Sequence, residues 1–131
     1  MSADLCPCGS GQPLNECCAP CLSGQRPART AKQLMRSRYT AYVLLDEAYL
    51  LRSWHPSTRP DRLALRGAAP VKWLGLKLVR VEAGDEQDDA GLVEFSARYK
   101  PAGAAGCLQE VSRFVKEQGE WFYVSGDLAE V

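Results

Sequence analysis

Five of the six cysteines lie in a stretch of 16 residues near the amino end, CPCGSGQPLNECCAPC. Four of them form two close pairs, Cys6-x-Cys8 and Cys17-Cys18. Four thiolates can complete a tetrahedral shell around Zn²⁺, and the glycines between the pairs suit a tight loop. The segment is too short and polar to fold by burying apolar side chains, so a bound metal would supply its folding free energy. The spacing predicts a zinc site on these four residues.

Other roles for the cysteines stay open at this point. Either close pair could cycle as a redox dithiol, the four could hold an iron–sulfur cluster, or they could be unrelated surface thiols. Cys21 could be a spare ligand, a reactive thiol or a small apolar filler, and Cys107, at the start of a predicted strand, is expected to pack in the core. A four-thiolate zinc centre carries a charge of about −2. Arg26, Arg29 and Lys32 follow closely enough to offset it.

Composition limits the classes of partner and the cellular compartment that we expect for this protein. The chain has 131 residues with 16 basic and 16 acidic side chains, so its formal net charge is zero. That balance argues against a dedicated nucleic-acid partner and gives no reason to expect a membrane surface. No run of 18 apolar residues and no secretory signal is visible. We therefore expect a cytoplasmic protein, where clustered cysteines bind metal or do redox chemistry more often than they form structural disulfides.

Two helices are predicted to follow the cysteine segment. Thr30 is a suitable N-cap and Gln33 completes a capping box, so a helix begins there and continues through the apolar residues up to position 45. Asp46 is the expected N-cap of a second, short helix that ends near Pro56. A helical turn is predicted at 61–65.

The rest of the chain alternates with a period of two residues. Strands are predicted at 71–83, 92–101, 107–117 and 120–126. In the second of them the alternation places Val93, Phe95, Ala97 and Tyr99 on one face. Helices followed by a four-stranded antiparallel meander indicate the α+β class, with the helices packed on one face of the sheet.

The first predicted helix directs one arginine toward the sheet. Arg38 lies on the same stripe as the apolar residues of that helix, and a buried guanidinium is costly unless it is paired. It could form a structural ion pair with Glu94 or Glu110, or it could orient an anionic ligand. Arg36 lies on another side of the helix and faces solvent or the cysteine segment.

His55, the only histidine, follows Trp54 in the stretch SWHPSTRP. It could make a hydrogen bond at a helix end, or act as a general acid or base. Ser57 and Arg59 are close enough to bind an anion with it. Aromatic side chains could line a cup or simply fill the core. The candidate pocket residues are Arg38, Tyr42, Trp54, His55, Trp73, Tyr99 and Trp121.

CPCGSGQPLNECC resembles the zinc-binding SEC-C motif. MRSRYTAYV, SWHPSTRP, WLGLKLV, EFSARYK and EVSRFVKEQGEWFYVSGD extend a resemblance to the YchJ-like bacterial family, SEC-C motif-containing proteins, over nearly the whole chain. The resemblance implies a zinc knuckle at 1–25 and, at 26–131, a nuclear transport factor 2-like domain, a cone of curved antiparallel sheet closed by helices. It also implies zinc on Cys6, Cys8, Cys17 and Cys18. Cys21 stands where the family usually has an aromatic residue, which leaves open whether it joins the metal shell.

The resemblance brings no established activity, so three hypotheses about function are kept. The first is a non-catalytic module that binds a protein partner through the zinc knuckle, with a cone that could hold a small ligand. The second is an enzyme in which His55 does acid–base chemistry and Arg38 anchors an anion inside the cone. The third is a thiol redox or metal-handling protein. A homodimer formed through the sheet face is also a prediction.

Overall fold

The computed structural model describes residues 5–61, 71–101 and 106–128. A 3-10 turn at Leu14–Glu16 is followed by helices α1 (Ala19–Ser23), α2 (Ala31–Leu44) and α3 (Glu47–Arg52). Strands β1 (Val71–Ala83), β2 (Ala90–Pro101), β3 (Gly106–Glu117) and β4 (Glu120–Leu128) then form one antiparallel sheet in the order β1-β2-β3-β4. The predicted α+β class with a four-stranded meander is confirmed.

Capping residues mark the amino ends of α2 and α3 and the carboxyl end of α2. The Thr30 hydroxyl accepts a hydrogen bond from the Gln33 amide, and the Gln33 side chain in turn accepts one from the Arg29 amide. Helix α2 ends at Leu45, whose φ of 59° lies in the left-handed region. The Asp46 carboxylate then caps α3 by accepting from the Tyr49 amide. Each cap satisfies amide groups that would otherwise lack a partner at a helix end.

The inner face of the sheet is apolar and packs against α2. Val93, Phe95 and Ala97 are buried on this face of β2, as their alternation predicts. Ser112 and Phe114 extend the buried surface onto β3, where Ser112 pairs with Val93. Because strand side chains alternate, this packing leaves the intervening residues on the opposite face.

The outer face of the sheet carries cross-strand ion pairs. Arg80 of β1 pairs with Glu94 of β2 at 3.3 Å, and Arg113 of β3 pairs with Asp127 of β4. Side chains of opposite charge thus lie across neighbouring strands, which is a favourable cross-strand arrangement.

Two sequence predictions concern parts of the chain outside the described residues. Most of the helical turn predicted at 61–65 lies outside the described residues. Cys107 belongs to β3, but its side chain is likewise outside the described part of the chain. None of the described helices is long and apolar enough to cross a membrane.

Candidate metal centre

The first cysteine pair is held by a tight loop closed by backbone hydrogen bonds. The Cys6 amide donates to the Gln12 carbonyl at 2.9 Å, and Leu5 forms an antiparallel bridge with Pro13. Gly9 has a φ of 82°, which a residue with a side chain rarely adopts. Its Cα also lies close to β1, because an added Cβ would come within 3.3 Å of the Leu76 carbonyl oxygen. A glycine is therefore required where the knuckle meets the edge strand.

The two cysteine pairs meet in one compact cluster. The sulfur atoms of Cys6, Cys8, Cys17 and Cys18 all lie within 4.8 Å of one another. Cys17 Sγ is 3.6 Å from Cys8 Sγ and 3.9 Å from Cys18 Sγ. A tetrahedron with Zn–S bonds of about 2.3 Å has edges of about 3.8 Å, so these two distances fit such a centre. The donor set is therefore compatible with metal binding.

Three further side chains surround the sulfur atoms. Ser10 Oγ is 3.1 Å from Cys17 Sγ, and Thr40 Oγ1 of α2 is 3.4 Å from Cys6 Sγ. Arg36 Nη1 donates to the Cys8 carbonyl at 2.8 Å and lies 3.8 Å from the Cys8 sulfur. Outer groups of this kind orient metal ligands and disperse their negative charge.

Contact among the sulfurs also changes their acidity. Hydrogen bonding from Cys18 lowers the pKa of Cys8 to about 4, in spite of its burial. Burial raises the pKa of Cys17 to about 11, and the hydrogen bond to Cys8 raises the pKa of Cys18 as well. One sulfur of the cluster thus takes the negative charge while its neighbours donate to it. A dication would replace those protons, since thiolates are the metal-binding form.

Cys21 stands apart from the four clustered sulfurs. It lies on α1, is 4% exposed, and burial raises the pKa of its thiol. Among the described residues, the cluster of ligand atoms consists of the other four cysteines without it. Of the three roles considered for Cys21, the small buried filler fits its surroundings.

Among the described residues, Arg36 is the cation that hydrogen-bonds at the cluster, whereas the sequence pointed to Arg26, Arg29 and Lys32 as the groups that offset its charge. Arg29 instead forms an ion pair with Glu86 at 3.7 Å. Arg36 lies two residues before Arg38 on α2, on the side that faces the knuckle, which was one of its two predicted orientations.

Comparisons with known proteins identify the family. Residues 30–126 match the family model described as YchJ, middle NTF2-like domain. This chain belongs to the YchJ family. A UPF0225 protein of Chromobacterium violaceum is 54% identical over 126 residues, which cover 95% of this chain and 93% of that protein. A UPF0225 protein of Bordetella parapertussis is 48% identical over 130 residues, covering 97% and 95%.

Two solved structures of SEC-C motif-containing proteins share the fold of this YchJ family member. The solution structure of the Rhodopseudomonas palustris protein has a TM-score of 0.85 at 32% identity and covers 95% of this chain and 98% of that one. The crystal structure of the Psychrobacter arcticus protein has a TM-score of 0.76 at 26% identity, with coverages of 96% and 83%. The nuclear transport factor 2-like fold implied by the sequence is confirmed.

Inside the YchJ domain, Arg38 is buried without the ion pair that the sequence led us to expect. Its Nη1 donates to the Leu50 carbonyl at 2.8 Å and to Ser53 Oγ at 2.6 Å. Its guanidinium lies over the rings of Trp54, at 5.1 Å, and Tyr123, at 4.5 Å. Burial lowers its pKa, but an arginine stays protonated.

The predicted pairing of Arg38 with Glu94 is wrong, and Glu110 interacts with Arg38 only through a longer-range electrostatic attraction that favours the charged guanidinium. Among the described residues, the ion pairs within 4.0 Å join Glu94 to Arg80 and include none to Arg38. Glu94 lies on the outer face of the sheet, so it cannot reach a helix packed on the inner face. Glu110 faces inward but accepts a hydrogen bond from Ser112 at 2.5 Å.

Five of the seven candidate pocket residues form one chain of contacts. Trp73 contacts Tyr42 at 6.2 Å and Tyr99 at 6.0 Å between ring centroids, and Tyr42 is next to Arg38, which in turn contacts Trp54. Trp121 is not part of this chain of contacts. Its indole N–H donates to the Arg29 carbonyl at 2.9 Å.

His55 does not share a site with Arg38, and it makes no simple hydrogen bond at a helix end. Its Nδ1 is 2.7 Å from Ser57 Oγ, and its Nε2 is 3.0 Å from the Glu117 carboxylate. Its ring packs on Phe122 rather than on the aromatic residues next to Arg38. An enzyme that combines His55 with Arg38 inside the cone is therefore not supported by this arrangement. Glu117 lies 62 positions along the chain from His55, and no sequence signal pointed to it.

Proposed function

We propose that this protein binds one zinc ion through Cys6, Cys8, Cys17 and Cys18, and that the zinc knuckle itself is a non-catalytic module that binds a protein partner. The observation that carries the metal assignment is the compact cluster of four sulfurs, in which the distances from Cys17 Sγ to Cys8 Sγ and Cys18 Sγ fit a tetrahedral centre. Soft thiolate ligands in this geometry favour zinc or an iron–sulfur cluster over hard cations. Four protein ligands leave no open position for a substrate, which is typical of a structural zinc site.

Two features of the knuckle and its boundary with the domain support a protein partner. Leu5, which leads into the first pair of cysteines, is 66% exposed. A cleft of about 270 Å³ lies where the knuckle meets the domain, and its lining includes Pro27, Leu34 and Trp121. An apolar side chain of a partner could enter it, and a metal-fixed knuckle would lower the ordering cost of that contact. The cone interior gives less support for a small ligand, because Leu50, Ser53 and two aromatic rings of the chain already contact the Arg38 guanidinium.

Metal content tests the first half of the proposal. Native mass spectrometry of the purified protein should detect one zinc ion per chain, and Cys17→Ser should lose it. Cys21→Ser is the matched control, because it removes a neighbouring buried thiol that lies outside the cluster. Iron in place of zinc, or a metal-free protein with a Cys8–Cys17 disulfide, would favour the iron–sulfur or the redox hypothesis instead.

Partner binding tests the second half separately. Chemical crosslinking in cells followed by mass spectrometry should yield protein crosslinks on residues 5–28 of the native chain. Cys17→Ser should lose these crosslinks while the circular dichroism of the sheet is retained, and Cys21→Ser should keep them. Equal crosslinking in all three proteins would reject the knuckle as the binding surface.

A further inference from the structure

The loop that follows α3 is fixed on the edge strand β4. The His55 amide donates to the Tyr123 carbonyl at 2.7 Å, and the Tyr123 amide donates to the Ser53 carbonyl at 2.9 Å. The Thr58 hydroxyl donates to the Val124 carbonyl at 2.6 Å. These bonds join the loop to the sheet at successive positions, so its side chains are held in defined places.

Three side chains of this region form a continuous series of hydrogen bonds. Ser57 Oγ is 2.7 Å from His55 Nδ1, and His55 Nε2 is 3.0 Å from both carboxylate oxygens of Glu117 at the end of β3. The imidazole and the Phe122 ring pack at right angles, with 5.9 Å between their centroids. The histidine side chain is only 18% exposed, so its ring is largely covered while Ser57 remains exposed.

The backbone indicates which imidazole nitrogen carries the proton. The Ser57 amide donates to His55 Nδ1 at 3.1 Å. Because a backbone N–H can only donate, Nδ1 must offer a lone pair, and in the neutral ring the proton is then on Nε2, facing Glu117. The Ser57 hydroxyl, at the shorter distance of 2.7 Å, is then also a donor to Nδ1, whose one lone pair the hydroxyl and the amide share. A hydroxyl donating to a base that a carboxylate orients is the arrangement that activates serine nucleophiles.

We propose that Ser57, His55 and Glu117 form a nucleophile, base and orienting carboxylate that transfer small acyl groups from esters to water. Ser57 Oγ bonds to the acyl carbon while its proton passes to His55 Nδ1. The carbon–oxygen bond of the ester then breaks, and the leaving alkoxide takes that proton. Water next gives a proton to Nδ1 and attacks the acyl carbon, and Ser57 leaves with the proton restored.

Two further observations define the substrate class. Ser57 lies at the surface, so a small acyl group that needs no enclosed pocket is the appropriate substrate. Arg59 Nε donates to the Trp54 carbonyl at 2.9 Å, which holds a guanidinium on the same loop. Its terminal amino groups are the candidates to stabilise the oxyanion that develops during attack. This activity does not depend on the zinc site or on a protein partner.

A fluorophosphonate probe tests the nucleophile on the full-length protein. The probe should form an adduct that peptide mass spectrometry locates on Ser57, and Ser57→Ala should abolish it. His55→Asn keeps a polar side chain but no base, so labelling should slow by about 100-fold or more. Ser23, an exposed serine whose hydroxyl donates to the Pro20 carbonyl, should stay unlabelled. Turnover of p-nitrophenyl acetate should likewise be abolished in Ser57→Ala and strongly slowed in His55→Asn.

Glu117 is tested as a positioning residue by Glu117→Gln. We expect labelling of Ser57 to slow by at least about tenfold. The ¹⁵N spectrum of the His55 ring should also lose its preference for the Nε2–H form, which a merely structural role would not change. Absence of a Ser57 adduct in the folded native protein would overturn the proposal. So would labelling of His55→Asn at the native rate, with thermal melts showing both proteins folded.

Discussion

At the scale of single residues, two side chains that contact the metal cluster come from α2 rather than from the knuckle. Arg36 and Thr40 lie one helical turn apart and reach Cys8 and Cys6, respectively. Residues four apart on a helix share a face, so this face is directed at the sulfurs. The knuckle is thereby joined to the domain by polar contacts to two of the four cysteines of the cluster.

Arg36→Gln tests the contact between α2 and the cysteine cluster. The variant should weaken zinc binding by about 10- to 100-fold, because it removes the cation beside the Cys8 sulfur and a hydrogen bond to the Cys8 carbonyl. A competition titration with a chromophoric chelator measures the change. Lys32→Gln, one turn earlier on α2 and exposed, is the matched control and should bind zinc as the native protein does. Equal losses in both variants would show that only general charge is involved.

Tyr49 leads to a prediction about alkaline stability. Its hydroxyl is 2.6 Å from Ser37 Oγ, which itself donates to the Leu34 carbonyl, so the phenol must be the donor. Burial raises the pKa of Tyr49 to about 12. Between pH 10 and 12 the unfolded chain releases this proton while the folded protein keeps it, so stability, fully present below pH 10, falls as the pH rises. The loss due to Tyr49 is about 2–3 kcal/mol.

Urea denaturation at pH 8, 10 and 11.5 measures this loss. Tyr49→Phe should cost about 1 kcal/mol at pH 8 through the lost hydrogen bond, and should then lose less stability than the native protein at high pH. Tyr123, whose pKa burial also raises to about 12, keeps part of the pH dependence in the variant. Parallel pH profiles for the native protein and Tyr49→Phe would contradict the assignment.

At the scale of elements, the start of α2 is fixed by the turn between β1 and β2. The Ala31 amide donates to the Gly84 carbonyl at 3.0 Å. A Cβ placed on Gly91 would lie 2.5 Å from the Gly84 Cα and 3.1 Å from the Ala31 Cβ. Three backbone segments therefore meet where only glycine fits, and this contact sets the position of the helix on the sheet.

Gly91→Ala should destabilise the protein by about 2 kcal/mol or more, because the extra methyl group must displace backbone rather than a flexible side chain. Chemical denaturation measures the change in the free energy of unfolding. Gly75→Ala is the control within the same sheet, since an added Cβ there meets only the end of the Arg98 side chain at 3.9 Å. That variant should differ from the native protein by less than about 0.5 kcal/mol. A similar cost for both would mean that general strand effects dominate.

At the scale of the whole molecule, the knuckle and the sheet differ in what holds them. The buried residues of the knuckle are four of its cysteines and Pro20, and its 3-10 turn at Leu14–Glu16 buries none, whereas the inner face of the sheet buries a continuous apolar surface against α2. If zinc is bound, its removal withdraws the main source of order from the knuckle but leaves that apolar surface intact.

Chelation should therefore unfold one part of the protein selectively. Hydrogen exchange after zinc removal should show lost protection across 5–23 and retained protection in β2 and β3. Cys17→Ser should reproduce this pattern without a chelator, and Cys21→Ser should not. Cooperative unfolding of the entire chain, or no change in exchange, would contradict this division. The homodimer stays a prediction, and light scattering of the purified protein would test it.

Much of the fold could be predicted because its signals are local. The Thr30 and Asp46 caps, the alternation from Val93 to Tyr99 and the spacing of the four cysteines each depend on residues close together in the chain. Local hydrogen bonding and side-chain periodicity set such features, so a single sequence is enough to identify them.

Only the tertiary structure decided the long-range partners. Arg38 was expected to meet a carboxylate, but the register of β1 and β2 directs Glu94 outward and leaves the guanidinium to the carboxyl end of α3 and two aromatic rings. Likewise, His55 meets Glu117 only because β3 and β4 turn back beside the loop after α3. Composition and spacing determine which groups a chain possesses, whereas strand register and helix docking determine which of them touch.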